Sequence, residues 1–221
     1  MKKDINNTLV KLWKNRLNNI PCFIIGNSPT LNNFNLDVIS KYFTIGINRA
    51  FFKIDPSVIF WQDKELWITE KNKLLKSTSF RVCHYRGDPY RKFLHFEING
   101  SHFMRSEDPS VLHGRGSTGP LAVQFAKALG CNPIYGIGMD CSVINGQTDF
   151  YGINKTWKDH TVNLCSRGLQ WIDKEYKNGE FINISNNPKM LDTIVEKFKI
   201  HSRGKEFYKN LLLGSNPLKK D

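Results

Sequence analysis

Residues 21–31 read Pro21-Cys22-Phe23-Ile24-Ile25-Gly26-Asn27-Ser28-Pro29-Thr30-Leu31. A short apolar run that ends in glycine is the pattern of a buried strand. The glycine lets the backbone turn tightly or approach a ligand. Asn27 and Ser28 then supply side chains able to hydrogen-bond a phosphate or a sugar. Asn, Ser, Pro and Gly are also what turns use, so a turn without a ligand is the alternative at this position. The stretch is neither a GxGxxG fingerprint nor a Walker loop, which removes support for ordinary dinucleotide and ATPase assignments.

Outward from this strand, apolar runs at 43–47, 58–61, 133–137 and 181–184 predict further strands, with weaker ones at 80–83 and 93–96. Helical periodicity predicts helices at 6–17, 35–42, 64–76, 119–129, 165–176 and 190–198. The clearest, 119–129, is apolar at Leu121, Ala122, Phe125, Ala126 and Leu129 and stops at Gly130, a C-terminal signal. Alternating strands and helices predict an α/β fold, a doubly wound and mainly parallel sheet with helices on both faces. Such sheets bind ligands at the carboxyl ends of their strands. The expected organisation is an N-terminal basic helix at 1–20, a single nucleotide-binding domain at 21–200 and a basic C-terminal tail at 201–221.

The chain has 221 residues, enough for one ordinary domain and short for two. No apolar run approaches the ~18 residues a membrane helix needs, and the basic start lacks the apolar stretch of a secretory signal. A cytoplasmic location is expected. Cys22, Cys83, Cys131, Cys141 and Cys165 are odd in number and contain no CxxC pair, so reduced thiols are expected rather than a disulfide framework or a zinc site. The net charge of +12 favours phosphate-rich partners: nucleotides, nucleic acid, or an anionic membrane touched peripherally. The excess is partly terminal, with five Lys or Arg against one Asp in 1–19 and seven against two acidic residues in 197–221.

Four further segments carry candidate site residues, three of them where strands end. Gly46-Ile47-Asn48-Arg49 closes the second strand, and Asn48 offers both a donor and an acceptor to a base edge or ribose. Trp61-Gln62-Asp63 closes the third in the same place. Gly114-Arg115-Gly116-Ser117-Thr118-Gly119-Pro120 leads into the best helix, whose N-terminus favours an anion. Arg115 could neutralise a phosphate there, and Ser117 or Thr118 could equally be a helix cap ahead of Pro120. Asp140 follows the 133–137 strand, with a loop leading on to His160. Histidine suits general-base chemistry near neutral pH, but His84, His95, His102, His113 and His201 are also present, and spacing alone does not select among them.

At these residues the chain resembles the small bacterial CMP-sialic-acid sialyltransferases, glycosyltransferase family 42, and a broader group of Rossmann-like proteins. The family's Gly-Asn-Gly-Pro-Ser-Leu is matched by Gly26-Asn27-Ser28-Pro29-Thr30-Leu31, and its strand-end Asn by Asn48. Its Arg-x-Thr-Ser-Gly is matched by Arg115-Gly116-Ser117-Thr118-Gly119, and its Ile-Tyr-Leu-x-Gly-Ile-Asp by Ile134-Tyr135-Gly136-Ile137-Gly138-Met139-Asp140. The match runs in order through most of 21–188. The resemblance implies that these segments bind the donor nucleotide and its phosphate, and that His160, ahead of Leu169, Trp171, Ile172 and Tyr176, is the acceptor base. Gln62 stands where the family usually has Asn. Ser142 and Thr148 stand where the family places two tyrosines near the leaving phosphate, with Tyr151 close by as a substitute.

The function expected is a metal-independent glycosyltransferase, because no Asp-x-Asp pair is available to hold Mg²⁺ against a diphosphate. Arg115 and His160 would be the catalytic residues. Asn27, Ser28, Asn48, Gln62, Ser117, Thr118, Gly119, Asp140, Ser142 and Tyr151 would bind the donor, a CMP- or UDP-sugar used as co-substrate with no cofactor. A surface glycan follows from the resemblance as acceptor, and DNA with a hydroxylated base follows from the charge. The alternatives are a pterin-type pyrophosphokinase using ATP and Mg²⁺, and a non-catalytic nucleotide or nucleic-acid binding module.

Overall fold

The computed structural model describes residues 5–88, 90, 92–114, 116–153 and 159–214, and of residues 5, 6, 85 and 159–161 only the backbone. Among these residues eight strands form one sheet: β1 (Cys22–Ile25), β2 (Phe43–Ile47), β3 (Val58–Trp61), β4 (Phe80–His84), β5 (Leu94–Asn99), β6 (Val111–His113), β7 (Ile134–Ile137) and β8 (Phe181–Asn183). Their spatial order is β6-β5-β4-β3-β2-β1-β7-β8, and every neighbouring pair is parallel.

Alternation along each strand feeds two cores. Cys22 and Ile24 of β1 join Phe43, Ile45, Val58 and Phe60 on one face, whereas Phe23 and Ile25 join Tyr135 and Ile137 on the other. The first face is covered by α3 (Thr118–Ala128), α4 (Asp159–Glu175) and α6 (Lys205–Leu212), and by the segment that follows α1 (Ile5–Lys11). Phe60 stacks on Phe96 at 4.6 Å and meets Phe125 of α3 at 5.2 Å, which locks α3 onto the middle of the sheet. The second face is covered by α5 (Lys189–Lys197) and two 3-10 turns, Pro29–Asn33 and Leu36–Ile39. α2 (Lys64–Lys76) buries Leu66, Trp67 and Leu74 against Ile59 and Trp61. Helices thus lie on both faces, and the fold is the doubly wound α/β arrangement that the alternation predicted.

The elements differ from the sequence expectation in several places, among them the helix α6 within the stretch expected to be a tail. The first helix stops at Lys11, because the next residues make other bonds: the amides of Asn15, Leu17 and Asn19 donate to the carbonyls of Ala128, Leu129 and Gly130. Residues 35–42 hold a single 3-10 turn, with Asn35 accepting from the Asp37 amide. The three-residue strand β6 is too short to show a periodicity. α4 begins at Asp159, six residues earlier than its apolar pattern suggested, so His160 lies within the first turn of a helix and not in a loop ahead of it.

Both ends contribute to the core. Val10, Trp13 and Leu17 from the N-terminal segment and Tyr208 and Leu212 from α6 are buried, the latter pair in a stretch that read only as a basic tail. Their charged residues sit on the outer face of segments whose inner face is apolar. No helix among the described residues is long and apolar enough to cross a membrane.

The topology fixes where a ligand can bind. From β1 the chain works outward through β2 to β6, then returns to place β7 on the other side of β1. The loops after β1 and β7 therefore leave the sheet in divergent directions, and a crevice opens between them at the carboxyl ends of the strands.

Candidate functional site

A cavity of about 390 Å³ lies at that crevice. It is walled by the ends of β1 (Gly26, Asn27, Ser28), β2 (Asn48, Arg49) and β3 (Gln62, Asp63), and by the loop after β7 (Gly138, Met139, Cys141). The N-terminus of α3 (Ser117, Thr118, Gly119) and Tyr151, Cys165 and Leu169 also line it. The volume suits a nucleotide-sized ligand. Each strand ends in a polar residue here because β1, β2 and β3 are buried throughout and lose their cover only where the sheet stops.

Asn27 is the most informative side chain. Its Nδ2 donates to the carbonyl of Ile47 at 3.1 Å, which fixes the amide plane and ties the ends of β1 and β2 together. Its Oδ1 is buried and has no hydrogen-bond partner among the described residues. A buried acceptor left empty costs about 1–3 kcal/mol, and Asn27 lines the cavity, so a ligand N–H or O–H would relieve that cost.

Gln62 and Thr118 are joined, Nε2 to Oγ1 at 3.0 Å, which aligns the end of β3 with the start of α3. Ser117 occupies the N-cap position of α3 but makes no side-chain capping bond; its hydroxyl instead donates to Cys165 Sγ at 3.8 Å. The cap role that the sequence left open for Ser117 or Thr118 is therefore not the one either side chain plays. First-turn amides lack intrahelical acceptors and stand at the positive end of the helix dipole, facing the cavity.

Arg49 reaches the cavity from β2. Its Nε lies 3.2 Å from Glu70 Oε1, and its Nη2 donates to Thr69 Oγ1 at 2.9 Å. Its guanidinium sits 5.5 Å from the centre of the Tyr151 ring. Burial pulls its pKa down, but hydrogen bonds to Tyr151 and Glu70 more than offset this and hold it above the ordinary value. Burial also raises the Tyr151 hydroxyl, with Asp149 adding to the effect and Arg49 opposing it. The pair bridges the end of β2 to the 142–153 excursion. That excursion is fastened to the β1 loop, the Phe150 amide donating to Asn27 O at 2.8 Å.

The residues named from sequence divide into three groups. Asn27, Ser28, Asn48, Gln62, Ser117, Thr118, Gly119 and Tyr151 all line the cavity. Asp140 and Ser142 do not. Asp140 Oδ1 accepts from Thr30 Oγ1 at 2.6 Å, so it braces the β1 loop from behind, and the Ser142 hydroxyl is buried without a partner among the described residues. Arg115 lies outside the described residues. The backbone of His160 is in the first turn of α4, but its side chain lies outside them too.

Arg49, Asp63, Glu65, Cys141, Asp149 and Cys165 also line the cavity without having been singled out as site residues. Arg49 and Asp63 directly follow Asn48 and Gln62, so adjacency was the available signal. Cys141 and Cys165 are far apart in the chain, and nothing in their spacing marks them.

Among the described residues one group has metal-ligand chemistry: Cys83, Asp88 and His95, whose donor atoms lie within 4.8 Å of one another, all buried. None of the three lines the cavity. Asp88 Oδ2 already accepts from the Phe93 amide at 2.7 Å and lies 3.2 Å from His95 Nε2, while Oδ1 accepts from the Tyr90 amide at 3.2 Å. The carboxylate clamps the connection between β4 and β5.

No protein-family model matches the chain. No curated protein matches it. Two solved structures of the sialyltransferase CstII from Campylobacter jejuni are similar in chain path. One, in complex with the substrate analogue cytidine-5'-monophosphate, has a TM-score of 0.45 and 15% identity, over 79% of this chain and 84% of that one. The other, in complex with CMP-3FNeuAc, has a TM-score of 0.40 and 15% identity, over 78% and 83%. Likeness at this level transfers no residue role to this chain.

Proposed function

We propose that this chain is a glycosyltransferase that takes a sugar from a nucleotide-sugar donor and delivers it to a hydroxyl acceptor without a metal ion. The observation that carries the reading is Asn27: a fixed amide with an empty, buried acceptor, in a crevice that also holds Asn48, Gln62 and a helix N-terminus. These groups recognise a neutral polar ligand at one end and an anion at the other. The motif resemblance supports a pyrimidine nucleotide, CMP or UDP, in the donor.

In this reading Asn27, Ser28, Asn48 and Gln62 position the nucleotide and sugar. The start of α3 at Ser117–Gly119, together with Arg115, stabilises the negative charge that builds on the leaving phosphate as the bond to the anomeric carbon breaks. His160 takes the proton of the acceptor hydroxyl as the new bond forms. Tyr151, held by Arg49, stands at the mouth as a further hydrogen-bonding group for the donor. Asp140 and Ser142 act one layer out, by bracing the loops that carry these residues.

A thermal-unfolding screen with CMP, UDP, GDP and ATP, each with and without Mg²⁺, tests this. A ligand that binds only the native state at 100 times its Kd adds about 2.7 kcal/mol, or roughly 5–10 °C in Tm for a chain of this size. The expected result is such a shift with CMP or UDP in the absence of Mg²⁺. A shift with ATP that requires Mg²⁺, and none with pyrimidine nucleotides, moves the assignment to a pyrophosphokinase.

Arg115→Ala is expected to weaken the same nucleotide by about 1.5–3 kcal/mol, the range for a hydrogen bond to a charged group. By calorimetric titration that is a loss of roughly ten- to 150-fold in Kd. Unchanged affinity would leave the phosphate to the helix N-terminus alone.

A further inference from the structure

We propose that Cys141 and Cys165 form a peroxide-reactive dithiol in the cavity wall, which closes to an intramolecular disulfide and ties α4 to the loop after β7. The proposal is independent of which ligand fills the cavity.

The geometry brings together two thiols from different elements. Cys141 follows β7 in a left-handed backbone conformation, φ 53°, and Cys165 lies in the second turn of α4. Both are half-buried and both line the open cavity, and each thiol shifts the proton affinity of the other, in opposite directions. Ser117 adds a second donor to Cys165 Sγ at 3.8 Å. The contrast is with Cys22 and Cys131, which are also paired but fully buried in the core, where no oxidant reaches them.

The two thiols are inequivalent. The hydrogen bond from Cys141 lowers the Cys165 thiol to about 7; burial and Asp149 oppose this and Ser117 assists it. Cys141, as the donor, is pushed well up by the same bond, by burial and by Asp140. The Ser117 hydroxyl, which donates to Cys165 Sγ, favours the thiolate on that sulfur, so Cys165 is the nucleophile and Cys141 the thiol that resolves it. At pH 7 a thiol titrating near 7 is about half thiolate, against ~3% for an unperturbed one, while its intrinsic nucleophilicity falls about fivefold. The net gain in the first step is only about threefold. Access and a partner already in contact therefore do more than acidity to select this pair.

The chemistry balances with a hydroperoxide as oxidant. The Cys165 thiolate attacks one peroxide oxygen and the O–O bond breaks. With hydrogen peroxide, the departing hydroxide takes a proton and leaves as water, and Cys165 becomes a sulfenic acid. Cys141 then loses its proton and attacks the Cys165 sulfur. The S–S bond forms, the S–O bond breaks, and the hydroxide leaves with that proton as a second water. Two sulfurs are oxidised and one peroxide is reduced.

The test treats the full chain with a slight excess of hydrogen peroxide at pH 7 and maps its peptides without reduction. The expected product has lost two hydrogens in mass and carries one cross-link, Cys141 to Cys165. Cys141→Ser should stop at a Cys165 sulfenic acid that a 1,3-dione traps, and Cys165→Ser should give neither product. Alkylation of Cys165 by iodoacetamide should reach half its maximal rate near pH 7 in the wild type and at higher pH in Cys141→Ala. A cross-link between Cys22 and Cys131, sulfenic acid on a cysteine other than Cys165, or no oxidation of folded protein while urea-unfolded protein reacts would each overturn the proposal. The wild-type peptide map decides even where a variant fails to fold.

Discussion

Replacing His160 by alanine is expected to lower the rate of sugar transfer by ~10²-fold or more while leaving nucleotide affinity nearly unchanged. His160 lies in the first turn of α4, five residues before Cys165, which lines the cavity. Five residues span about 7.5 Å along a helix axis, so the backbone of His160 lies a little over one turn before that lining residue. The proposed nucleotide contacts are carried by other elements, the ends of β1, β2 and β3 and the start of α3. A base that removes the acceptor proton acts only in the transition state, so its loss appears in turnover and not in donor binding. Slow hydrolysis of the donor should survive, because water needs less help than a poorly acidic hydroxyl on a bound acceptor. The wild-type rate should rise with pH through the range in which imidazole loses its proton, and that rise should vanish in the variant. The measurement is a pH–rate profile of both forms with nucleotide affinity determined in parallel. Near-full activity with an unchanged profile would remove His160 as the base. A parallel loss of nucleotide affinity would place it in the donor site instead.

Gly26→Ala is expected to cost about 3 kcal/mol of stability or more and to lower Tm by roughly 6–12 °C. A Cβ at Gly26 would lie 2.1 Å from the carbonyl oxygen of Gly138 and 2.8 Å from its carbon. That obstacle is backbone, held where it is: Gly138 O accepts from the Ser28 amide at 3.0 Å, and Ile137 O accepts from the Gly26 amide at 2.8 Å. Inserting a methyl group where side chains can yield costs about 1–3 kcal/mol. Here the ends of β1 and β7 must part, which also strains two buried hydrogen bonds worth about 0.5–1.5 kcal/mol each. The same displacement moves Asn27, so ligand affinity should fall along with stability. Gly146→Ala is the control: its φ of +74° disfavours alanine, but no atom lies within 4 Å of the added carbon. It should cost only ~1–2 kcal/mol, the penalty for a left-handed conformation. Equal melting temperatures for wild type and Gly26→Ala would show that the two strand ends are not held together as described.

Much of the fold was legible because its strands are short, apolar and punctuated. The Cys22–Ile25 run ending in Gly26, the Phe43–Ile47 run ending in Asn48 and the Ile134–Ile137 run ending in Gly138 are each bounded by residues that cannot continue a buried strand. Alternation with amphipathic segments then implied a parallel sheet covered on both faces. The carboxyl-end rule placed Asn27, Ser28, Asn48, Gln62 and Ser117–Gly119 at one crevice, where they lie. The polar approach to α4 hid its first six residues, and charge hid the apolar inner face of α6, because periodicity registers only where apolar residues recur.

Local sequence by itself determined most of the elements, the fold class and which strand ends carry polar side chains, since these depend on patterns spanning a few residues. Only the tertiary structure decided which groups meet. The return of the chain to β7 beside β1 sets Gly138 against Gly26 and turns Asp140 behind the wall onto Thr30 rather than into the cavity. The packing of α4 on α3, where Gly168 leaves room for Pro120, brings Cys165 to Ser117 and Cys141. Arg49 is likewise joined to Tyr151 across about a hundred residues of chain. Contacts of that separation are set by the strand order and by helix packing, and no window of neighbouring residues encodes either.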